Sequence, residues 1–139
     1  MKSLLRQRAG SRVGLVTALG MCLALGCSGV DTGPELAEVI GKVTLDGQPL
    51  ANARVVFIPE DGPASAAITT ESGDYELVGK SGVKGGVPGN NRVEISTDLD
   101  GTRDKAKEKV PAKYNTASTL SVQVELGSNG HDFKLESKK

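Results

Sequence analysis

From Val39 onward, apolar and polar side chains alternate with a period of two, and Gly, Pro, Asn or Asp break the alternation every eight to twelve residues. That rhythm predicts the short strands of an all-β sandwich or barrel. Val39, Gly41, Val43 and Leu45 share one face of a first strand, which turns at Asp46-Gly47-Gln48-Pro49. In the second strand Ala53, Val55 and Phe57 point one way and Val56 and Ile58 the other, so both faces are covered there. A weaker third strand, Ser65 to Thr70, leads through Glu71-Ser72-Gly73-Asp74 into a fourth, where Tyr75 and Leu77 share a face. Val93 and Ile95 mark the fifth. Leu120, Val122, Val124 and Leu126 give the cleanest alternation in the chain, and after the turn Gly127-Ser128-Asn129-Gly130 a seventh strand holds His131, Phe133 and Leu135. The last two strands are expected to form a hairpin.

The pattern therefore predicts a seven-stranded antiparallel β-sandwich over residues 39 to 137. Its core is mostly Val, Leu, Ile and Ala, because the chain has only four aromatics, Phe57, Tyr75, Tyr114 and Phe133. About 100 residues bury something over 60 per cent of the unfolded chain's surface, enough for one independent core. Gly73 is expected at positive φ, reversing the chain so that Tyr75 and Leu77 turn inward.

Two stretches carry no strand pattern. Gly79 to Gly89 holds five glycines and one proline and reads as a loop. Asp98 to Lys109 is too polar to bury, and is expected to be a mobile surface excursion with at most one exposed helical turn from Arg103 to Lys109. Tyr114 follows as an anchor whose ring packs inward while its hydroxyl finds a partner.

Ahead of the strands, residues 1 to 26 have the form of a cleaved export signal: basic Lys2, Arg6, Arg8 and Arg12, then the apolar run Val13 to Leu25 interrupted only by Thr17. Thirteen helical residues span about 20 Å, short of the roughly 30 Å hydrocarbon core of a bilayer. The following Leu23-Ala24-Leu25-Gly26-Cys27 resembles the lipobox of bacterial lipoproteins. That resemblance implies cleavage between Gly26 and Cys27 and a diacylglycerol on the Cys27 sulfur, making membrane lipid a partner of the mature chain. Each buried acyl methylene contributes about 0.8 kcal/mol to attachment, so two or three chains anchor durably. Residues 27 to 38 then read as a lipidated cysteine and tether, and Ser28, which is not Asp, implies by the same resemblance passage to the outer membrane.

Removing the leader changes the charge balance. The whole chain has 17 basic and 17 acidic residues, but all four leader charges are basic, so residues 27 to 139 carry a net of −4. That excludes nucleic acid as a natural partner, since such affinity comes from clustered Lys and Arg.

Candidate chemistry is sparse. A lone His131 cannot supply the several nitrogen and carboxylate ligands of a zinc enzyme. Asp98, Asp100 and Asp104 alternate loosely like a calcium loop, yet Arg103, Lys105, Lys107 and Lys109 crowd the same segment, so a solvated charge run is expected. Lys42 with Asn129 or Asp132 could suggest an intramolecular Lys-Asn crosslink, but Lys42 alternates away from the Val39 and Val43 face. Gly82 to Gly89 has no phosphate-loop lysine, and no nucleophile and base can be placed together. No cofactor is expected. Recognition, if it occurs, is assigned to the loops and the edge near Asn90, Asn91, Asp98, Asp100, Arg103 and Tyr114.

The pieces GKVTLDGQPL (41 to 50), ARVVFIP (53 to 59), TESGDYEL (70 to 77), VPG (87 to 89), VEIS (93 to 96), VPAKYN (110 to 115) and DFKL (132 to 135) together resemble small bacterial lipoproteins, of the kind abundant in planctomycetes, that carry a carboxypeptidase regulatory-like domain. The resemblance implies a transthyretin-like sandwich that is not itself catalytic, with a structural or protein-binding role in the cell envelope. Where that group often has an aromatic or His after Pro-Gly, this chain has Asn90 and Asn91. A carbohydrate-binding module is the alternative, disfavoured because all four aromatics are expected to face inward.

Overall fold

The computed structural model describes residues 33–138. The predicted signal segment, Gly26, Cys27 and the first part of the predicted tether, through residue 32, lie outside the described residues. The described chain is all-β, with two five-membered sheets and one short 3-10 turn.

β1 (Glu38–Leu45) is the centre of the first sheet. On one side it pairs antiparallel with β2 (Gln48–Pro49), after the two-residue turn Asp46-Gly47, and with β5 (Asp74–Glu76). On the other it pairs in parallel with β9 (Ser128–Gly130) and β10 (Phe133–Leu135). The second sheet runs in the order β6 (Val78–Gly79), β4 (Ser65–Ile68), β3 (Arg54–Pro59), β7 (Gly89–Ser96), β8 (Ser121–Val124), antiparallel throughout. One apolar cluster joins the two sheets: Val39, Val43, Tyr75, Phe133 and Leu135 from the first meet Val55, Phe57, Val93, Ile95 and Val124 from the second. The alternation on β1, β3 and β7 thus selects the inner face as expected.

The strand count and direction differ from expectation. Ten strand segments stand where seven were predicted, two of the pairings are parallel, and the expected final hairpin is absent. Val124 is buried on β8 in the second sheet, whereas β9 and β10 join β1 in the first. The link Glu125 to Gly127 is therefore a crossover between the sheets, and Ser128 to Gly130, expected as a turn, form β9. The device of the crossing is Asn129, whose carbonyl oxygen accepts the Glu125 amide at 2.8 Å and whose amide donates to the carbonyls of Glu125 (2.8 Å) and Glu38 (3.1 Å). Leu126, at the apex of this crossing, is 68% exposed despite its place in the alternation. The body also begins earlier than 39. Ala37 is buried and exchanges two backbone bonds with Gly86, at 2.9 and 2.8 Å, inside the segment expected to be a plain glycine loop.

Gly41 occupies an inward position on β1, and a Cβ there would lie 1.9 Å from the His131 carbonyl oxygen and 2.8 Å from the Tyr75 ring. The missing side chain lets Tyr75, directly opposite on β5, lay its ring across β1 and donate its hydroxyl to the His131 carbonyl at 2.6 Å. That carbonyl lies at the break between β9 and β10, where the Asp132 carboxylate accepts the Lys42 amide at 2.9 Å. Phe57 and Phe133 pack on the Tyr75 ring with centroids 6.3 Å away in each case. Burial of the phenol holds its pKa well above the usual tyrosine range, so the hydroxyl stays a donor at any ordinary pH. Gly73 adopts φ 79°, as the turn into β5 requires, and its carbonyl accepts the Val43 amide at 2.8 Å.

Gly41→Ala is expected to cost about 4 kcal/mol or more, because the contact it creates is with backbone that cannot rotate away. Tyr75→Phe, which keeps the ring and orphans the carbonyl, is expected to cost about 1–3 kcal/mol. Urea unfolding of both variants checks the pair; a Gly41→Ala protein as stable as the parent would contradict the close approach.

Candidate functional site

The outward positions of the second sheet carry the most developed concavity near the predicted recognition residues. Arg54 and Val56 on β3 alternate with buried Val55 and Phe57, and the β3–β7 register sets Arg54 opposite Ser96 and Val56 opposite Glu94. Over this face folds the segment 97–110. Together they enclose a groove of about 570 Å³.

Two carboxylates hold the covering segment down. Glu108 reaches back to the end of β7, accepting the Thr97 amide (3.0 Å), the Val110 amide (2.9 Å) and the Ser96 hydroxyl. The Thr97 hydroxyl donates to the Lys107 carbonyl at 2.9 Å and accepts the Lys109 amide at 2.7 Å. Asp98 is only 4% exposed; its carboxylate accepts the Arg103 amide at 2.5 Å and the Thr102 hydroxyl at 3.4 Å. Arg103 sits at φ 56°, the left-handed bend that Asp98 braces. Asp104 caps a single turn through the Ala106 amide, 2.9 Å, while its carbonyl accepts the amides of Lys107 and Glu108. The charged run is thus folded over the sheet with the single exposed turn expected of it, while most of its side chains stay exposed. The reason is polar: carboxylates bonded to backbone N–H groups replace the apolar stripe that the segment lacks.

The remaining predicted residues are dispersed. Asn91 is fully buried on β7 and is not a recognition residue: its amide donates to the carbonyls of Val87 (2.9 Å) and Gly89 (3.0 Å), bracing the bend before its own strand. Asn90 faces out, donating to Glu60 at 3.1 Å and accepting the Ser121 hydroxyl at 2.6 Å. Asp100 is exposed and paired with Lys107 at 2.9 Å, which lowers the Asp100 pKa and raises that of Lys107. Asp98, Asp100 and Asp104 therefore serve three separate tasks and do not converge on a cation. Tyr114 lies in the 3-10 turn Ala112–Tyr114, half-buried against the core as predicted, with its oxygen accepting the Glu136 amide at 3.2 Å and the Lys113 ammonium 4.9 Å above its ring. Lys42 points outward to Asp74 at 3.2 Å, away from Asn129. His131 packs beside Phe57, centroids 6.1 Å apart.

Of the predicted site residues, the groove gathers Asp98 and Arg103. Sequence reasoning missed Arg54, Glu94, Ser96 and Glu108. The alternation on β3 and β7 already sets the first three on the outer face, but nothing in the composition of 97–110 shows that Glu108 folds back to meet them.

No protein-family model and no curated protein matches this chain. Among solved structures, a DUF3823 family protein from Parabacteroides merdae aligns with 75% of the chain at 13% sequence identity and a TM-score of 0.44. The chain spans 46% of that protein, less than half its length.

Partial burial pushes the Glu108 pKa up, but the bonds from Ser96, Thr97 and Val110 outweigh it and hold the group below the usual carboxylate range. A depressed folded value means that the stabilisation is full above the unfolded pKa of about 4.3 and is lost as pH falls through the folded one. Protection of the Thr97 and Val110 amides, measured against the intrinsic exchange rate at each pH, should therefore fall below about pH 4. Glu108→Gln should show fast exchange already at neutral pH; slow exchange in that variant would contradict the clasp.

Proposed function

We propose that this chain is a lipid-anchored domain of the cell envelope, of carboxypeptidase regulatory-like and transthyretin-like type, which acts without catalysis as a structural or protein-binding body. The observation that carries the proposal is the order of parts: Leu23-Ala24-Leu25-Gly26-Cys27, then ten residues later Ala37, where the paired backbone bonds to Gly86 begin the β body. Ten residues reach at most about 35 Å, so an acylated Cys27 would keep the body close to the bilayer. Among the described residues no helix is long and apolar enough to cross a membrane. Attachment on this reading belongs to Cys27, and Ser28 favours the outer membrane.

The non-catalytic part of the proposal is supported by how the polar groups around the groove are used. Glu108 accepts the Thr97 and Val110 amides, the Ser96 hydroxyl accepts the Asp98 amide and the Asp98 carboxylate accepts the Arg103 amide, and these bonds hold the cover in place. Carbohydrate recognition through stacked rings is not favoured, since Phe57, Tyr75 and Phe133 are at most 7% exposed.

Expression of the full chain in a bacterial host that processes lipoproteins tests the anchor. The mature protein should fractionate with membranes and yield an N-terminal peptide beginning at acylated Cys27. Cys27→Ser should leave the β body folded and abolish the acylated peptide. A processed Cys27→Ser protein that stays with the membranes, or a parent whose Cys27 carries no acyl chain, contradicts the proposal.

A further inference from the structure

Six charged residues line the groove: Arg54 and Glu94 from the sheet, Asp98, Arg103, Lys105 and Glu108 from the cover. Their engagement is lopsided. Glu94 is paired with Arg92 at 2.6 Å, and Asp98 and Glu108 accept backbone and hydroxyl donors. Among the described residues the ion pairs are Lys42–Asp74, Lys84–Glu76, Arg92–Glu94 and Lys107–Asp100, and none involves Arg54, Arg103 or Lys105. Three cations without ion-pair partners among the described residues therefore line one concavity whose carboxylates are already bonded. They arrive from opposite walls, Arg54 from a strand held by neighbours on both sides and Arg103 from a bend braced by Asp98. The same groove is lined by the apolar side chains of Val56 and Ala112 and by the edge of the buried Val110.

We propose that this groove binds a small monocarboxylate bearing an apolar substituent, its carboxylate between Arg54 and the Arg103 and Lys105 pair, its substituent against Val56, Val110 and Ala112. A guanidinium offers two parallel donors matched to a carboxylate, so a group held between two walls gains orientation as well as charge. The six lining charges sum to zero, and a dianion such as phosphate would set its second charge against Glu94, Asp98 and Glu108. The volume, about 570 Å³, falls within the range of sites for small molecules. This inference does not rest on the anchor at Cys27.

The test is an NMR titration of the full chain in detergent with N-acetylvaline, its neutral counterpart N-acetylvalinamide, and inorganic phosphate. N-acetylvaline should give saturable shifts at the amides of Ser96, Thr97 and Gly101, with the amide and phosphate at least about tenfold weaker. Arg54→Gln and Lys105→Gln should each weaken N-acetylvaline by about fivefold or more, whereas Lys80→Gln, outside the groove, should not. Lys105 is exposed and in no ion pair, so an effect there cannot come from unfolding. Absence of saturable shifts, equal binding of the neutral amide or of phosphate, or unchanged binding by both groove variants would overturn the assignment.

Discussion

The hydroxyl of Tyr75 crosses a strand to reach a carbonyl on its far side, and it can do so because Gly41 has no side chain. β1 is flanked on both sides, antiparallel by β5 and parallel by β9 and β10, and such a strand would normally separate its neighbours' side chains. Here a single ring spans it, joining β5 to the β9–β10 junction and presenting its face to Phe133 and Phe57. Three of the four aromatics in the chain therefore meet at one place, where an aliphatic core would otherwise leave a wide gap over a bare glycine. The junction sits at the inner surface where the two sheets meet, so its loss would loosen both.

The opposite face of the molecule is closed by different means. No apolar stripe is available in 97–110, and the segment is instead pinned by Glu108 to the end of β7 and by Asp98 to its own bend. A polar closure of this kind depends on charge and therefore on pH, as the lowered pKa of Glu108 records. It also consumes acceptors. With its carboxylates bonded to backbone and hydroxyl donors or to Arg92, the groove is also lined by Arg54, Arg103 and Lys105, which are in no ion pair among the described residues.

Much of the fold was legible in the alternation. Val39, Val43, Val55, Phe57, Tyr75, Leu77, Val93 and Ile95 are buried where period two sets them, and Lys42 faces out. What period two cannot carry is pairing partner. Leu120 to Leu126 and His131 to Leu135 read as consecutive strands around a glycine turn, and a hairpin is the natural inference, yet Asn129 turns the chain between sheets instead. The groove was less legible still. Asn91 reads as an edge residue because amides are usually exposed, but it is buried, with its Nδ2 bonded to two carbonyls and its Oδ1 without a partner among the described residues. The charged run offers no apolar stripe to pin it, and its path is set by hydrogen bonds between residues eleven or twelve positions apart, which its composition does not display.

If the Tyr75 crossing over Gly41 clamps β1 between its neighbours, native-state hydrogen exchange resolved by residue will show it. The amides of Val43, Leu77 and His131, which donate to Gly73, Val39 and Ile40, should exchange only through global unfolding. Their opening free energies should then fall with denaturant as steeply as the whole protein's stability does. Exchange of these amides through local openings, while those of β3 and β7 remain protected to the global limit, would show that the second sheet holds the fold without the crossing.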